Sequence, residues 1–310
     1  MTTGTPTKPA TPSTHPIDIQ LDISRLVQHA LAEDLGISPV TVAKLAGTRA
    51  LVEYDITTNS TVPPSEVATA EFILKQTGVV CGLPIAKQVF ETIDSEIQFE
   101  TLVEEGAVFE AQPVTIARVK GSAQSLLVAE RTALNILQRL SGVATATREY
   151  TKHAAKFNIQ ILDTRKTTPG MRQLEKYAVR CAGGTNHRVG LYDAILIKDN
   201  HVSIAGGITP AIEAARAKYP KHPVEVEVTN FNELNAALAA RAEKILLDNM
   251  TPKQVSDAVA IVNKRAFIEV SGGVNLSNLE GYLIEGVNAI SIGALTHSTR
   301  SLDISLEIGG

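Results

Sequence analysis

The basic side chains of this 310-residue chain are concentrated in one stretch, DTRKTTPGMRQLEKYAVRCAGGTNHRVGLYDAILIKDNH, which covers residues 163–201. The stretch holds seven Lys and Arg residues and two His residues against four acids, a formal charge of +3 in a chain whose total is −4. Such cations could form a solvated helix face, a nucleic-acid patch or a pocket for a small polyanion. Their position relative to the predicted helices and strands distinguishes these cases.

Short apolar runs alternate with helical patterns through the second half of the chain. These runs end at Asp163, Lys198, Val228, Asp248, Val270 and Gly293. The later ends recur about every 20 to 25 residues, a spacing typical of βα units wound into a parallel barrel. Six strands are fewer than the eight of a standard barrel, so we predict an incomplete or atypical α/β barrel over residues 142–298. The active site of such a barrel forms at the C-terminal ends of its strands.

Charged residues that could bind or catalyse lie at these predicted strand ends. Arg165 and Lys166 follow the first strand, and Lys198 ends the second. Glu227 is on the third strand, and Asp248 ends the fourth. Independent surface charges are not expected at so many strand ends, so we predict a convergent anion pocket. A carboxylate that ends a hydrophobic strand is costly to bury without a partner, which favours a site role for Asp248.

Glycines follow the last two predicted strands. One loop opens with Ser271-Gly272-Gly273, and the other begins at Gly293. Loops in these positions of a barrel hold phosphate through backbone N–H groups and a helix N-terminus, although Ser-Gly-Gly can also be only a turn. Neither GxxxxGK[ST] nor GxGxxG occurs, so no P-loop or dinucleotide site is indicated. The pattern therefore predicts a cation-lined pocket beside two carboxylates and a phosphate cradle, suited to a small polycarboxylate and a sugar phosphate.

Other residues of the basic stretch have plainer interpretations. Arg172, Lys176 and Arg180 are spaced at i, i+4 and i+8, so we predict that they form a solvated helix face. His187-Arg188 follows a Gly-Gly pair, and two adjacent cations favour a functional role only modestly. Cys181 is expected to be a packing cysteine rather than a nucleophile.

The composition excludes several classes of protein. A pI near 6.0 argues against broad nucleic-acid binding. No apolar run approaches the roughly 20 residues that a bilayer crossing requires. Two cysteines without a CxxC motif indicate a reducing compartment, and we expect a cytoplasmic protein. Residues 1–16, rich in Thr and Pro and without an apolar core, are predicted to be a disordered tail rather than a signal peptide.

Residues 17–141 are predicted to form a first domain that mixes helices with short strands. Its last element is a long helix that begins near Ser122 and ends at Ser141-Gly142. Arg131 lies on the polar face of this helix, far in sequence from the barrel strands.

Several segments closely resemble those of the quinolinate phosphoribosyltransferases, the carboxylating nicotinate-nucleotide pyrophosphorylases. These segments are ERTALNILQRLSGVAT, the basic stretch, VEVEV, LLDN, SGGV and SIGALTHS. The resemblance extends over nearly all of residues 17–307. It implies that quinolinate and phosphoribosyl pyrophosphate are converted to nicotinate mononucleotide, pyrophosphate and CO₂, with Mg²⁺ and without an organic cofactor. It also implies an N-terminal α/β sandwich, a C-terminal barrel, a final segment (299–310) that returns to the first domain, and a homodimer or higher oligomer with shared active sites.

The resemblance also implies a role for each matching residue. It assigns the quinolinate carboxylates to Arg131, Arg165, Lys166, His187, Arg188 and Lys198, with Thr164 as a further substrate contact. It assigns catalysis to Lys166, Lys198, Glu227 and Asp248. In this assignment Glu227 and Asp248 hold the ribose and are candidate ligands of the Mg²⁺ that binds with pyrophosphate. It assigns the 5′-phosphate to Ser271, Gly272, Gly273 and Gly293.

Two departures from the family pattern stand out. Residues 37–54 are an insertion, which we expect to be a surface excursion, and Thr229 stands where the family commonly has an acid. Two other functions stay open at this point. One is a Schiff-base lyase or aldolase that uses Lys198, and the other is a catalytically silent, anion-binding relative of the family.

Overall fold

Helices and strands alternate along the chain in the computed structural model, which describes residues 23–309; the predicted tail, residues 1–16, lies outside them. The first elements are α1 (Ile23–Leu35), α2 (Pro39–Leu45), α3 (Ile56–Thr61), β1 (Val67–Leu74), β2 (Gly78–Val79), α4 (Leu83–Ile93), β3 (Gln98–Thr101), β4 (Val108–Phe109), β5 (Val114–Ser122) and α5 (Ala123–Ala154). The later elements are β6 (Gln160–Leu162), α6 (Arg172–Cys181), β7 (Ile195–Ile197), α7 (Asp199–Ala205), α8 (Ile208–Lys218), β8 (Val224–Val228), α9 (Phe231–Ala239), β9 (Lys244–Asp248), α10 (Pro252–Val262), β10 (Phe267–Ser271), β11 (Ala289–Ser291), α11 (Ala294–His297) and β12 (Ile304–Gly309).

The first half of the chain is built on a four-stranded antiparallel sheet with the order β12-β1-β5-β3. Along β1, Ala70, Phe72 and Leu74 are fully buried and alternate with more exposed residues, as expected of a strand with one covered face. Helices α4 and α5 cover that face, and the rings of Phe72 and Phe90 meet edge to face at 5.9 Å. This arrangement confirms the expected N-terminal α/β sandwich.

The second half is built on six parallel strands in the order β6-β11-β10-β9-β8-β7. Within residues 23–309 the outer strands β6 and β7 do not pair with each other, so the barrel stays open along one seam. Thr185, which lies between them in sequence, bridges to Leu162 on the open side of β6. The predicted six strands and incomplete barrel are therefore confirmed.

The strands of the barrel separate apolar from charged side chains. In β8, Val224, Val226 and Val228 are fully buried in the hydrophobic core, and Glu225 and Glu227 alternate with them. Because side chains alternate along a strand, the two carboxylates share the other face, which is the inside of the barrel. The parallel strands also bring the segments that follow them to a single edge.

The long helix α5 does not end at Ser141-Gly142, so that prediction is wrong; it continues to Ala154. Both residues instead mark a close crossing of chain segments. A Cβ on Gly142 would lie 2.1 Å from the carbonyl oxygen of Arg300, and the Ser141 hydroxyl accepts the N–H of Cys81 at 3.0 Å. The domain boundary that we propose at residues 141–142 therefore lies within a helix. Even this 32-residue helix falls short of the apolar character that a membrane span requires, as does every other helix in the described part of the chain.

The insertion at residues 37–54 is not merely a surface excursion. Val42 and Leu51 are fully buried in the core of the first half. Arg49 donates to Ser122 Oγ at 2.7 Å and lies 3.4 Å from the buried carboxylate of Asp94. The inserted segment is thus tied to α4 and to the start of α5, because it carries its own apolar and charged anchors.

Candidate active site

Lys198, Glu227 and Asp248 lie at the ends of three adjacent strands, β7, β8 and β9. The Lys198 ammonium is 3.1 Å from Glu227 Oε2, and the Lys198 side chain is 46% exposed, so this pair faces the mouth of the barrel. Asp248 Oδ2 accepts a hydrogen bond from Asn249 Nδ2 at 2.6 Å. The structure therefore brings the predicted cation and the two predicted acids to one edge.

The Ser-Gly-Gly segment after β10 is a turn that only glycine suits. Gly272 and Gly273 have φ values of +96° and +66°, in the left-handed region that other residues rarely adopt. A Cβ on Gly272 would lie 2.3 Å from Asn249 Oδ1, and the Ser271 carbonyl accepts the N–H of Asn249 at 2.9 Å. The turn is held against the end of β9, close to Asp248, and Gly273 is exposed.

The second glycine loop meets the residues that follow β6. A Cβ on Gly293 would lie 3.1 Å from both Lys166 Cδ and His297 Nε2. Thr296 Oγ1 also donates to the Lys166 carbonyl at 2.7 Å. Lys166 and His297 therefore share the space that the missing side chain leaves, and both can donate hydrogen bonds to a bound phosphate or carboxylate.

The loop after β6 carries a buried donor without a partner. Arg165 Nε is buried and has no hydrogen-bond acceptor among the described residues. Thr164 Oγ1 accepts the N–H of Lys166 at 3.1 Å, which fixes the backbone on either side of Arg165. Buried donors are nearly always satisfied, so this guanidinium indicates an acceptor that the chain itself does not supply.

The same loop is tied to the long helix by a buried ion pair. Glu175 is fully buried and accepts hydrogen bonds from Arg139 Nη2 at 2.6 Å and from Thr168 N–H at 3.0 Å. Arg139 also donates to the Thr299 carbonyl at 3.0 Å. One guanidinium thus connects α5, α6 and the segment after α11, which holds the loop in place.

Lys176 is not part of a solvated helix face, so that prediction is wrong for this residue. Its side chain is 3% exposed, and its ammonium donates to Asp163 Oδ1 and, at 3.0 Å, to the His187 carbonyl. Burial raises the pKa of Asp163 and lowers that of Lys176, in each case against the attraction of the partner. Arg172 is half-buried, and Arg180 alone of the three is exposed.

His187 lies in the barrel interior and contacts two acids. Its Nε2 is 3.3 Å from Glu225 Oε2 and 3.5 Å from Glu269 Oε1, while its Nδ1 accepts the N–H of Arg188 at 2.6 Å. Both ring nitrogens are therefore engaged within the protein. Burial lowers the pKa of His187, and the two carboxylates raise it by more. A second proton would bind Nδ1 and break the hydrogen bond that Nδ1 accepts from the Arg188 N–H. This hydrogen bond therefore opposes the rise in pKa that the carboxylates cause.

The two acids beneath His187 are held differently. Burial, followed by the charge of Glu225, raises the pKa of Glu269 from 4.5 to about 7. Burial also acts to raise the pKa of Glu225, but the hydrogen bond from His187 and its charge lower it overall. At neutral pH the pair therefore holds a proton between its carboxyl groups for part of the time, which reduces the negative charge beneath the cations.

Arg131 lies on α5, outside the elements that carry the other predicted cations. Its side chain is 63% exposed on α5, its nearest carboxylate is Glu130 at 3.9 Å, and within the described residues no ion pair or hydrogen bond joins it to the strand-end residues. A cavity of about 930 Å³ lies along the same helix, between α1, α5 and the loop after β6. Asn135, Arg139, Thr168 and Met171 are among its lining residues. Arg131 is thus available to a molecule outside this chain.

The structure adds residues that the sequence did not assign to the site. Asn249, His297, Lys176 and Glu269 all contact predicted site residues. Asn249 and His297 stand within the quoted segments LLDN and SIGALTHS, so proximity in sequence could have identified them. Lys176 also lies in a quoted segment, the basic stretch, but its helical spacing pointed to a solvated face. Glu269 has no such signal, because its partners come from other elements of the barrel.

The chain is similar to known proteins over most of its length. The family model of the quinolinate phosphoribosyl transferase N-terminal domain matches residues 55–141, and that of the C-terminal domain matches residues 143–307. Nicotinate-nucleotide pyrophosphorylase [carboxylating] of Mycobacterium leprae is 43% identical over 82% of this chain and 91% of its own length. The solved nicotinate-nucleotide pyrophosphorylases of Francisella tularensis and Ehrlichia chaffeensis are 38% and 35% identical, with TM-scores of 0.83 and 0.85. They cover 93% and 94% of this chain and 96% and 100% of their own. The chain belongs to the quinolinate phosphoribosyltransferase family.

Proposed function

We propose that this protein transfers the phosphoribosyl group of phosphoribosyl pyrophosphate to quinolinate and decarboxylates the product. The products are nicotinate mononucleotide, pyrophosphate and CO₂, a step of NAD biosynthesis. The observation that carries the proposal is the meeting of Arg165, Lys166 and Lys198 with Glu227, Asp248 and the glycine turns at one edge of the parallel strands. This edge offers cations for a dicarboxylate, acids for a sugar cation and a backbone cradle for a phosphate. The two free cysteines, Cys81 and Cys181, accord with the reducing, cytoplasmic compartment that we propose.

The proposed pocket assigns the two ends of the site to different substrates. Arg165, Lys166, Arg188 and Lys198 bind the quinolinate carboxylates, with Thr164 beside them. The unpartnered Nε of Arg165 supports this role, since a bound carboxylate supplies the missing acceptor. Ser271, Gly272, Gly273 and Gly293 hold the 5′-phosphate through backbone N–H groups.

The chemistry follows from the charges at this edge. The pyridine nitrogen attacks the anomeric carbon as the bond to pyrophosphate breaks, and positive charge develops on the sugar. Glu227 and Asp248 stabilise that charge electrostatically. The two carboxylates lie on adjacent strands and offer the oxygen ligands that Mg²⁺ prefers; bound there with pyrophosphate, the ion would offset charge on the leaving group. The quaternised ring then holds the electron pair left by CO₂, so no organic cofactor is needed, and a proton replaces the carboxylate.

A pyrophosphate-release assay tests the function directly. Release must require quinolinate and phosphoribosyl pyrophosphate together and must be matched by CO₂ formation. The silent anion-binding alternative predicts no release. The lyase alternative predicts that borohydride traps a carbonyl substrate on Lys198. We expect no trapped adduct.

The exposure of Arg131 on α5, without contacts to the strand-end residues of its own chain among the described residues, supports a dimer in which each site uses residues of both copies. Leu191 and Tyr192, 75% and 78% exposed, stand on the loop that precedes β7. They offer an apolar rim that a second copy could cover, and two-fold symmetry would repeat the contact. In this arrangement Arg131 reaches the partner's quinolinate pocket.

Mixing two inactive variants tests the shared site. Arg131→Ala and Arg165→Ala proteins are each expected to be inactive, and subunit exchange should create hybrid dimers. If Arg131 acts in the partner's pocket, each hybrid has one intact site, so about a quarter of all sites recover on random equal mixing. Mass spectrometry of the intact dimers verifies the exchange. Verified exchange without recovered activity would show that Arg131 acts in its own chain or not at all.

A further inference from the structure

Two buried glutamates lie in contact with His187 and have no part in the chemistry described above. We propose that Glu225 and Glu269 are positioning residues that fix the tautomer and orientation of His187 and, through it, the backbone of Arg188. The inference rests on the proposed function, because Arg188 is assigned there to a quinolinate carboxylate.

The backbone of His187 is fixed on both sides. Its N–H donates to Asp163 Oδ1 at 2.9 Å, and its carbonyl accepts from Lys176 Nζ at 3.0 Å. Asn186 Nδ2 also donates to the other oxygen of Asp163. The remaining freedom of His187 therefore lies in its ring, which could turn over or move its proton between the two nitrogens.

The acids remove that freedom. Nε2 of the His187 ring stands 3.3 Å from Glu225 Oε2 and 3.5 Å from Glu269 Oε1, so its hydrogen has an acceptor on each of two strands. Ser291 Oγ in turn donates to Glu269 Oε1, which fixes the second carboxyl group from a third strand. Placing the proton on Nε2 leaves Nδ1 with a free electron pair.

The tautomer determines the backbone of the next residue. Nδ1 of His187 accepts the N–H of Arg188 at 2.6 Å. If the proton moved to Nδ1, two hydrogens would face each other across this contact, and the peptide of Arg188 would have to turn away. The Arg188 guanidinium, which donates to the Ala194 carbonyl at 3.4 Å, would move with it.

Packing alone does not explain these two acids. Glu225 and Glu269 are 4% and 2% exposed, and Glu225 Oε1 is buried without a partner among the described residues. Apolar side chains of similar size would fill the space without the cost of removing carboxylates from water. Negative charge in this place also opposes the binding of a dianion nearby. The position of the two acids is therefore better explained by their contacts with the His187 ring.

Three variants test the inference against a matched control. Glu225→Gln and Glu269→Gln keep the size of the side chain but can present an amide N–H to Nε2. Ser291→Ala is a milder change that removes one donor to Glu269. Glu213→Gln, on the exposed side of α8, is the control. The measurements are the separate KM values for quinolinate and phosphoribosyl pyrophosphate, the melting temperature, and the tautomer of His187 from ¹⁵N NMR of histidine-labelled protein.

We expect the two Gln variants to raise the quinolinate KM about tenfold, as the loss of a hydrogen bond that orients a histidine often does. The KM for phosphoribosyl pyrophosphate should stay within about twofold, since a displaced Arg188 affects binding at one end of the site only. In the two Gln variants, NMR should show a larger population of the Nδ1–H tautomer of His187. Ser291→Ala should change the quinolinate KM and the tautomer population in the same direction, but by less.

Two results would overturn the inference. One is a quinolinate KM and an Nε2–H tautomer that both match those of Glu213→Gln. The other is an equal rise in both KM values with a lowered melting temperature, which indicates a structural role. If the unmutated protein releases no pyrophosphate, the proposed function fails separately, and the NMR comparison still decides whether the glutamates fix His187.

Discussion

Replacing Lys176 by Met should destabilise the protein far more than its place in a row of helix cations suggests. The side chain of Lys176 is 3% exposed and that of Asp163 is fully buried, and the ammonium also donates to the His187 carbonyl at 3.0 Å. Removing one partner of a buried ion pair leaves the other charge uncompensated, which costs about 3–5 kcal/mol of unfolding free energy. A residue on a solvated face would change it by no more than about 0.5 kcal/mol.

Arg180→Met on the same helix is the matched control, since Arg180 is exposed. Urea denaturation followed by far-UV circular dichroism measures the unfolding free energy of both variants. Adding Asp163→Asn to Lys176→Met should recover part of the loss, because the neutral amide no longer needs a cation. A Lys176→Met protein as stable as Arg180→Met would refute the reasoning.

The pH dependence of the Lys176→Met variant provides a second check. Burial already raises the pKa of Asp163, and Lys176 lowers it, so removing the lysine raises this pKa further. The folded variant then binds a proton more readily than the unfolded chain does, and its stability falls as pH rises. The unfolding free energy that Lys176→Met loses relative to the unmutated protein should therefore be smaller near pH 5 than near pH 8.

Other substitutions test separate parts of the structure. Gly142→Ala places a Cβ 2.1 Å from the Arg300 carbonyl and should lower the melting temperature, at a cost of about 1–3 kcal/mol or more. Folding raises the pKa of Glu269 from 4.5 to about 7, so between these pH values the folded state binds a proton on Glu269 that the unfolded chain has lost. The free energy of unfolding therefore falls as the pH rises through this range. The change is about 3 kcal/mol at 1.36 kcal/mol per pH unit, and denaturation across pH should show this slope vanish in Glu269→Gln. Lys166→Ala should weaken transition-state binding by about 1.5–3 kcal/mol, measured as kcat/KM for quinolinate, and unchanged kinetics would remove its carboxylate role. Asp248→Asn should lower kcat more than it weakens quinolinate binding, measured by isothermal titration; the reverse pattern would contradict its action on the sugar cation.

The sequence by itself determined the architecture and the principal edge of the site. Periodic apolar runs and their spacing are local properties, so they identified six strands and the charged residues that follow them. Parallel strands place their C-terminal ends together, so Lys198, Glu227 and Asp248 could be grouped without a structure. Glycine turns could be located for the same reason, because the need for a positive φ is a property of single positions.

Tertiary structure decided which neighbours each side chain meets. The spacing of Arg172, Lys176 and Arg180 shows that they follow one another along a helix. It does not show that Lys176 meets the buried carboxylate of Asp163, just after β6. Ser141-Gly142 resembles a helix end, yet its small side chains serve a crossing with a segment more than 150 residues away. The contacts of His187 with Glu225 and Glu269 likewise join three separate elements. Such contacts depend on how distant elements are packed together, and no local pattern of residue types encodes that information.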